Sequence, residues 1–277
     1  MDVLQAIGFV VFGLFVGAYG TLIGAGGGFL MVPMFLLVYG ATPQNAVGTS
    51  LAVVFLNAVS GTISYARQKR IDYRTGVRFA IATLPGAAIG AYLSSYLTSG
   101  FFNLVFGLLL VATALFLIVR PEARSAAANG RPAELPLRKG VTRRTIVDAH
   151  GDVLVYTFDE RAGLALSFGV GFLSSILGIG GGIIHVPAMV HLFSFPAHIA
   201  TATSHFILGI SAGAGTAFHL ALDHVLYLPA ILLGLGVVFG AQIGAALSHR
   251  LHGRWLIRLL SIALLIVGVR LLLNARL

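Results

Sequence analysis

The chain has 277 residues, of which 57% are hydrophobic and 10% are charged, and its mean hydropathy is +0.94. A soluble domain carries about 25% charged residues, so most of this chain must face lipid or other apolar helices. The absence of cysteine excludes disulfides, thiolate metal sites and thiol catalysis. The net charge of +9 is explained better by the basic cytoplasmic loops of a membrane protein than by nucleic-acid binding. We expect neither a nucleic-acid partner nor a cofactor.

The first half contains five apolar segments. They cover residues 3–23, 29–39, 46–66, 76–97 and 101–119. The first is long enough to span a bilayer, and it lacks the basic start and small-residue cleavage site of a signal peptide, so we expect a retained helix. The second is too short to span alone unless it is tilted or re-entrant.

The middle of the chain, 120–161, is its one hydrophilic region. Its second part, 145–156, is rich in strand-forming residues around a glycine-bearing turn, which predicts a small cytoplasmic β-hairpin. We expect a linker domain over 121–161 that joins one membrane repeat, 1–120, to a second, 162–277.

The second half repeats the first at a displacement of 154 residues. Gly24-Ala25-Gly26-Gly27-Gly28 returns as Gly178-Ile179-Gly180-Gly181-Gly182, and a proline follows each motif five residues later. The chain is therefore two copies of one unit, with about eight to ten membrane segments in all. The apolar segments of the second half cover 163–177, 183–193, 200–222, 227–247 and 256–273.

The loop charges differ between the two copies. The loop after the third segment is basic in the first half, with Arg67 and Arg70, whereas the loop before the fifth is basic in the second half, with Arg250 and Arg254. The positive-inside rule then places equivalent loops on opposite faces of the membrane. This predicts inverted repeats with an odd number of crossings each, both termini outside, and the 121–161 linker in the cytoplasm.

The two glycine motifs predict broken helices, discontinuous or re-entrant, because four glycines in five residues hold a helix poorly. Inside a membrane, unpaired backbone is tolerated only where it lines a cavity or is buried in protein. The free N–H groups of the following half-helix favour an anion, and inverted repeats with broken helices are typical of secondary transporters. The alternative is that the glycines only allow tight helix packing. The doubled motif favours a substrate site formed by Gly24, Gly26, Gly27, Gly28, Gly178, Gly180, Gly181 and Gly182.

Polar residues repeat beside these motifs, at the start of the third segment of each half. They are expected to face the substrate. The alternative is that such hydroxyls bond a carbonyl of their own helix, and a glutamine in the fourth segment of the second half could simply bridge helices. The candidate substrate contacts are Thr49, Ser50, Asn57, Thr203, Ser204 and Gln242.

Histidines lie in the apolar segments of the second half only. An ionisable residue within a membrane is usually functional, and histidine titrates near neutral pH. His185 and His205 are therefore the predicted proton-coupling residues. Histidines and carboxylates at metal-ligand spacing do not occur on one helix, so no metal site is expected. No acidic residue is embedded in an apolar segment, which indicates an anionic or neutral substrate rather than a cation.

The pattern Gly-x-Gly-Gly-Gly-x-x-x-Val-Pro at 24–33 and 178–187, followed by Gly48-Thr49-Ser50, resembles the TauE/SafE sulfite exporter family. The resemblance covers essentially the whole chain. It implies a transporter of sulfur-containing anions in a bacterial cytoplasmic membrane, with sulfite, sulfoacetate and related organosulfonates as substrates and export as the usual direction.

We therefore expect an all-α polytopic membrane protein that moves a small anion by alternating access, as a monomer or homodimer in lipid. A passive anion channel would share these motifs, and the substrate could be a different small carboxylate or oxyanion. A membrane-embedded hydrolase is disfavoured, because no carboxylate lies beside Ser50 or Ser204 in the sequence.

Overall fold

The computed structural model describes residues 2–119, 141–149, 151–248 and 253–274, the last with backbone alone over 253–257. These residues form ten α-helices and one two-stranded antiparallel sheet, which confirms the mostly helical fold with a small hairpin. The elements in chain order are α1 Val3–Leu22, α2 Gly28–Leu37, α3 Pro43–Arg67, α4 Tyr73–Ser94, α5 Ser99–Val119, β1 Val141–Val147, β2 Val153–Asp159, α6 Glu160–Leu177, α7 Gly182–His191, α8 Ala197–Ala221, α9 Tyr227–Ser248 and α10 Gly253–Asn274.

The helices repeat as the sequence does. The bounds of α2, α3 and α4 recur in α7, α8 and α9 with the same 154-residue displacement. Several helices begin three residues before their predicted apolar starts, because their first turns are polar and capped. Thr42 accepts a hydrogen bond from the Asn45 N–H at the start of α3, and Asp72 accepts one from the Thr75 N–H at the start of α4.

Among the described residues, five helices are long and apolar enough to cross a membrane. α2 and α7 are not, because ten residues rise only about 15 Å, half the thickness of a hydrocarbon core. Each is therefore a half-helix, as the short apolar segments predicted. The candidate spans are Val3–Leu22, Pro43–Arg67, Tyr73–Ser94, Ser99–Val119 and Tyr227–Ser248.

The half-helices double back on the helices before them. The ring of Tyr39, which follows α2, packs edge-on against Phe9 of α1, with ring centroids 5.9 Å apart. In the second half, Gly163 of α6 and Phe193, which follows α7, both contact Phe79 of α4. In each half, the chain that follows the short helix therefore lies close to the start of the longer helix before it.

The two halves contact each other symmetrically. α1 packs on α9 while its counterpart α6 packs on α4, and α3 packs on α8 as α5 packs on α10. α3 and α8 run antiparallel: Gly61 near the end of α3 faces His205 near the start of α8, and Leu51 near the start of α3 faces Gly215 near the end of α8. The equivalent helices α3 and α8 thus point in opposite directions.

The β-hairpin is docked onto the helices. Its strands pair from Val141↔Asp159 to Val147↔Val153, a longer hairpin than the predicted 145–156. The Tyr156 hydroxyl donates to the Asp72 carboxylate at 2.7 Å, and the Arg144 guanidinium lies 3.6 Å from the same oxygen. Burial, together with the adjacent carboxylate of Asp72, raises the pKa of the Tyr156 phenol far above its ordinary value. The hairpin therefore fixes the residue that caps α4.

Candidate functional site

Both predicted breaks are present, with matching backbone conformations. The first break (residues 23–27) separates α1 from α2, and the second break (residues 178–181) separates α6 from α7. Three glycines in each adopt a left-handed conformation that side-chain-bearing residues rarely adopt. Their φ angles are +75° at Gly24, +76° at Gly26, +83° at Gly27, +69° at Gly178, +76° at Gly180 and +78° at Gly181.

The two breaks lie in direct contact. A Cβ atom added to Gly28 would lie 2.5 Å from the Gly178 carbonyl oxygen, and one added to Gly182 would lie even closer to the Gly24 carbonyl oxygen. Only glycine permits this approach of backbone to backbone. The first residue of each half-helix therefore packs on the break of the other half.

The repeated serines connect the breaks. The Ser50 hydroxyl donates to the Gly178 carbonyl at 2.8 Å, and the Ser204 hydroxyl donates to the Gly24 carbonyl at 3.2 Å. Both serines are fully buried. Neither bonds a carbonyl of its own helix, which was the alternative for such hydroxyls. Each instead bridges the two halves beside the break.

The repeated threonines hold the following helices. The Thr49 hydroxyl accepts a hydrogen bond from the Leu226 N–H just before α9 at 2.9 Å, and the Thr203 hydroxyl accepts one from the Asp72 N–H just before α4 at 3.0 Å. Each threonine thus connects the start of a central helix to a helix of the other half. Each threonine directly precedes the serine that bonds a break.

Asn57 belongs to a buried network at the first break. Its amide nitrogen donates to the Gly26 carbonyl, and its amide oxygen accepts from the Thr21 hydroxyl, both at 3.0 Å. His205 Nε2 lies 3.2 Å from the same hydroxyl oxygen. Because the hydroxyl proton is used on Asn57, the second bond must use a hydrogen on Nε2. His205 Nδ1 is then a buried lone pair that finds no partner among the described residues.

Thr21 is a site residue that the sequence reasoning missed. Its backbone carbonyl also accepts a hydrogen bond from the Tyr65 hydroxyl at 2.7 Å. Its counterpart is Ser175, whose carbonyl lies 3.2 Å from His219 Nε2, where His219 is the counterpart of Tyr65. The signal was available, since a hydroxyl stands at the same distance before each glycine motif.

His185 and Gln242 lie in other contacts. His185 Nε2 lies 3.2 Å from the Ser167 hydroxyl of α6, which itself donates to the Gly163 carbonyl at 2.8 Å. The Gln242 amide donates to the Ser60 carbonyl at 2.7 Å and so bridges α9 to α3. The structure therefore brings Asn57, His205 and the serines to the breaks, and engages His185 and Gln242 between helices.

The half-helices begin with unpaired backbone donors. Within the parts of the chain that the structure describes, no protein acceptor is found for the N–H groups that open α2 and α7. Such orphan donors at a helix start carry a partial positive charge. The groups are those of Gly27, Gly28, Phe29, Gly181, Gly182 and Ile183. The described residues also include no set of three His, Asp or Glu side chains that could hold a metal ion.

Comparison with known proteins identifies the family. The model of the sulfite exporter TauE/SafE family matches residues 9–271. The chain belongs to this family. Like its relatives, it is a multi-pass membrane transporter, and it is not an enzyme. No solved structure matches the chain.

The relatives of this TauE/SafE chain are named as probable membrane transporter proteins. YunE of Bacillus subtilis (strain 168) is 38% identical over 270 residues, which cover 95% of this chain and 96% of YunE. A protein of Methanocaldococcus jannaschii is 24% identical over 279 residues, 95% of this chain and 94% of its own length. YjnA of Bacillus subtilis is 28% identical over 280 residues, 97% of this chain and all of YjnA.

Proposed function

We propose that this protein is a secondary transporter that exports a sulfur-containing anion across a bacterial cytoplasmic membrane by alternating access. Sulfite, sulfoacetate and related organosulfonates are the proposed substrates. The observation that carries the proposal is the contact between the two breaks, where two half-helices begin side by side with unpaired N–H groups. The family name supports the sulfur chemistry of the substrate.

The chemistry of the breaks suits a sulfonate or sulfite. These anions present three oxygen acceptors over which the charge is delocalised, and helix N-termini offer several donors without a full positive charge. Backbone donors bind more weakly than a buried arginine, so the anion can also leave. Within the described helices, the one acidic residue is Glu160 at the start of α6, so no carboxylate of these helices repels an anion at the breaks.

An inverted arrangement of the halves fits the contacts. The antiparallel α3 and α8, the exchange of helix contacts between the halves and the return of the chain after each short helix agree with three crossings per half. The basic loop that ends α3 is then cytoplasmic, as are the hairpin and the 121–161 linker, while both termini lie outside. Alternating access is the movement that such pairs of repeats perform around a central site.

His205 is the residue proposed to couple transport to protons. Its hydrogen-bonded Nε2 fixes the tautomer, and its unpartnered Nδ1 can accept a proton beside the first break. A proton there would add positive charge close to the bound anion. Tyr65 packs edge-on against the ring, with centroids 5.8 Å apart, and is the titratable neighbour of His205 on α3.

The test is uptake of labelled sulfite and labelled sulfoacetate into proteoliposomes, with and without a pH gradient. Saturable uptake that responds to the gradient in the wild type, and loses this response in His205→Gln, would support the proposal. His224→Gln, in the α8–α9 loop, is the matched control and should keep the response. Linear flux indifferent to the gradient would indicate a channel, and no flux of either anion would reject the substrate assignment.

A further inference from the structure

Two aliphatic side chains pack against both breaks. Val54 of α3 and Leu208 of α8 are counterparts at the 154-residue displacement, and both are fully buried. They are the side chains nearest to the central glycine of each break, Gly26 in the first half and Gly180 in the second. Neither residue stands out in the sequence, because an apolar residue in an apolar segment carries no local signal.

The contacts of this pair are shared equally by the two halves. A Cβ atom on Gly180 would lie 2.7 Å from Val54 Cγ1 and 2.9 Å from Leu208 Cδ1. One on Gly26 would lie 3.1 Å from Val54 Cγ1 and closer still to Leu208. Each side chain therefore touches both breaks, and a side chain on either glycine would displace it.

An apolar pair in this position opposes the passage of ions. An anion must exchange water for protein donors as it moves, and a stretch lined only by methyl groups offers none. Narrow apolar constrictions in membrane proteins exclude water and so stop ion flow. The N–H groups that open the half-helices can hold an anion, but the methyl groups of Val54 and Leu208 cannot.

We propose that Val54 and Leu208 form an apolar barrier that keeps an anion at the breaks from leaking across the protein. The inference rests on the proposed function, because it takes the breaks as the place where the anion binds. The barrier gives alternating access a physical basis: the anion crosses only when the two halves move relative to each other and carry these side chains apart.

The test compares matched double variants in proteoliposomes. Val54→Ala/Leu208→Ala removes the barrier. The control, Val53→Ala/Ile207→Ala, removes a similar volume from the residues that precede them in the chain, which are also buried and are also counterparts at the 154-residue displacement. Two readouts are needed: passive chloride efflux, as a probe of leak, and exchange of labelled sulfite, as a probe of transport. We expect chloride efflux to rise about tenfold in the first variant alone, which corresponds to a fall of ~1.4 kcal/mol in the activation free energy of chloride permeation.

Equal chloride efflux from the two double variants would overturn the proposed barrier, provided that size-exclusion chromatography shows both variants to be folded. If Val54→Ala/Leu208→Ala fails to fold, Val54→Thr decides, since it keeps the shape and adds a hydroxyl that hydrates the constriction. Efflux at the wild-type level from Val54→Thr would also overturn the barrier. If sulfite exchange is absent from the wild type while the barrier variant leaks chloride, the substrate assignment fails and the barrier stands.

Discussion

The contact between the breaks can be tested by filling it. A methyl group on Gly28 would lie 2.5 Å from the Gly178 carbonyl oxygen, against about 3.5 Å for an ordinary contact, so Gly28→Ala must push the two breaks apart by about 1 Å. Overpacking of this kind costs about 1–3 kcal/mol. For a chain of this size, each kcal/mol lowers Tm by about 2–4 °C. Anion uptake should fall together with Tm, because the unpaired N–H groups of the two half-helices no longer converge.

The assay is thermal unfolding in detergent, followed by tyrosine and tryptophan fluorescence, together with anion uptake into proteoliposomes. Gly169→Ala is the matched control, because a Cβ atom added to Gly169, in α6, meets nothing within 4 Å. Alanine should leave Tm unchanged at Gly169 or raise stability by up to about 1 kcal/mol, since it favours the helix. Equal Tm and equal uptake for Gly28→Ala and Gly169→Ala would refute the reasoning.

Two further predictions concern the loops. Tyr156→Phe removes the 2.7 Å hydrogen bond to the buried Asp72 carboxylate and should cost about 1.5–3 kcal/mol. Its Tm should therefore be lower than that of Tyr73→Phe, whose ring is exposed; the same Tm in both variants would show that this hydrogen bond adds no stability. Burial lowers the pKa of His224, so below about pH 6.5 the unfolded chain binds a proton that the folded chain does not. Stability should therefore fall as the pH drops through that value, and less steeply in His224→Gln; identical slopes of Tm against pH would contradict the assigned cause.

The serine hydroxyls beside the breaks show what a sequence repeat can predict and what it cannot. Their recurrence at a fixed displacement indicated that Ser50 and Ser204 serve the same purpose twice. It could not indicate that each serine bonds the opposite break, because its partner lies 128 or 180 residues away in the chain. Spacing along one helix predicts which residues share a face, but not which helix covers that face.

Asp72 and Thr21 illustrate the same limit for polar residues. Asp72 lies at the edge of a loop in the sequence, where a charge is ordinarily solvated, yet the hairpin buries it beneath Tyr156 and Arg144. The repeat pairs Thr21 with Ser175, but only the packing of α3 and α8 beside Thr21 makes it the link between Asn57 and His205.

The sequence by itself determined the membrane class, the doubled unit, the positions of the breaks and the hairpin in the linker. These follow from local physical chemistry: apolar length, the conformational freedom of glycine, strand propensity and the constant displacement between halves. The tertiary structure alone decided that the breaks touch and that Val54 and Leu208 pack against both of them. These features depend on how segments far apart in the chain pack against one another, and neither composition nor periodicity encodes such pairings.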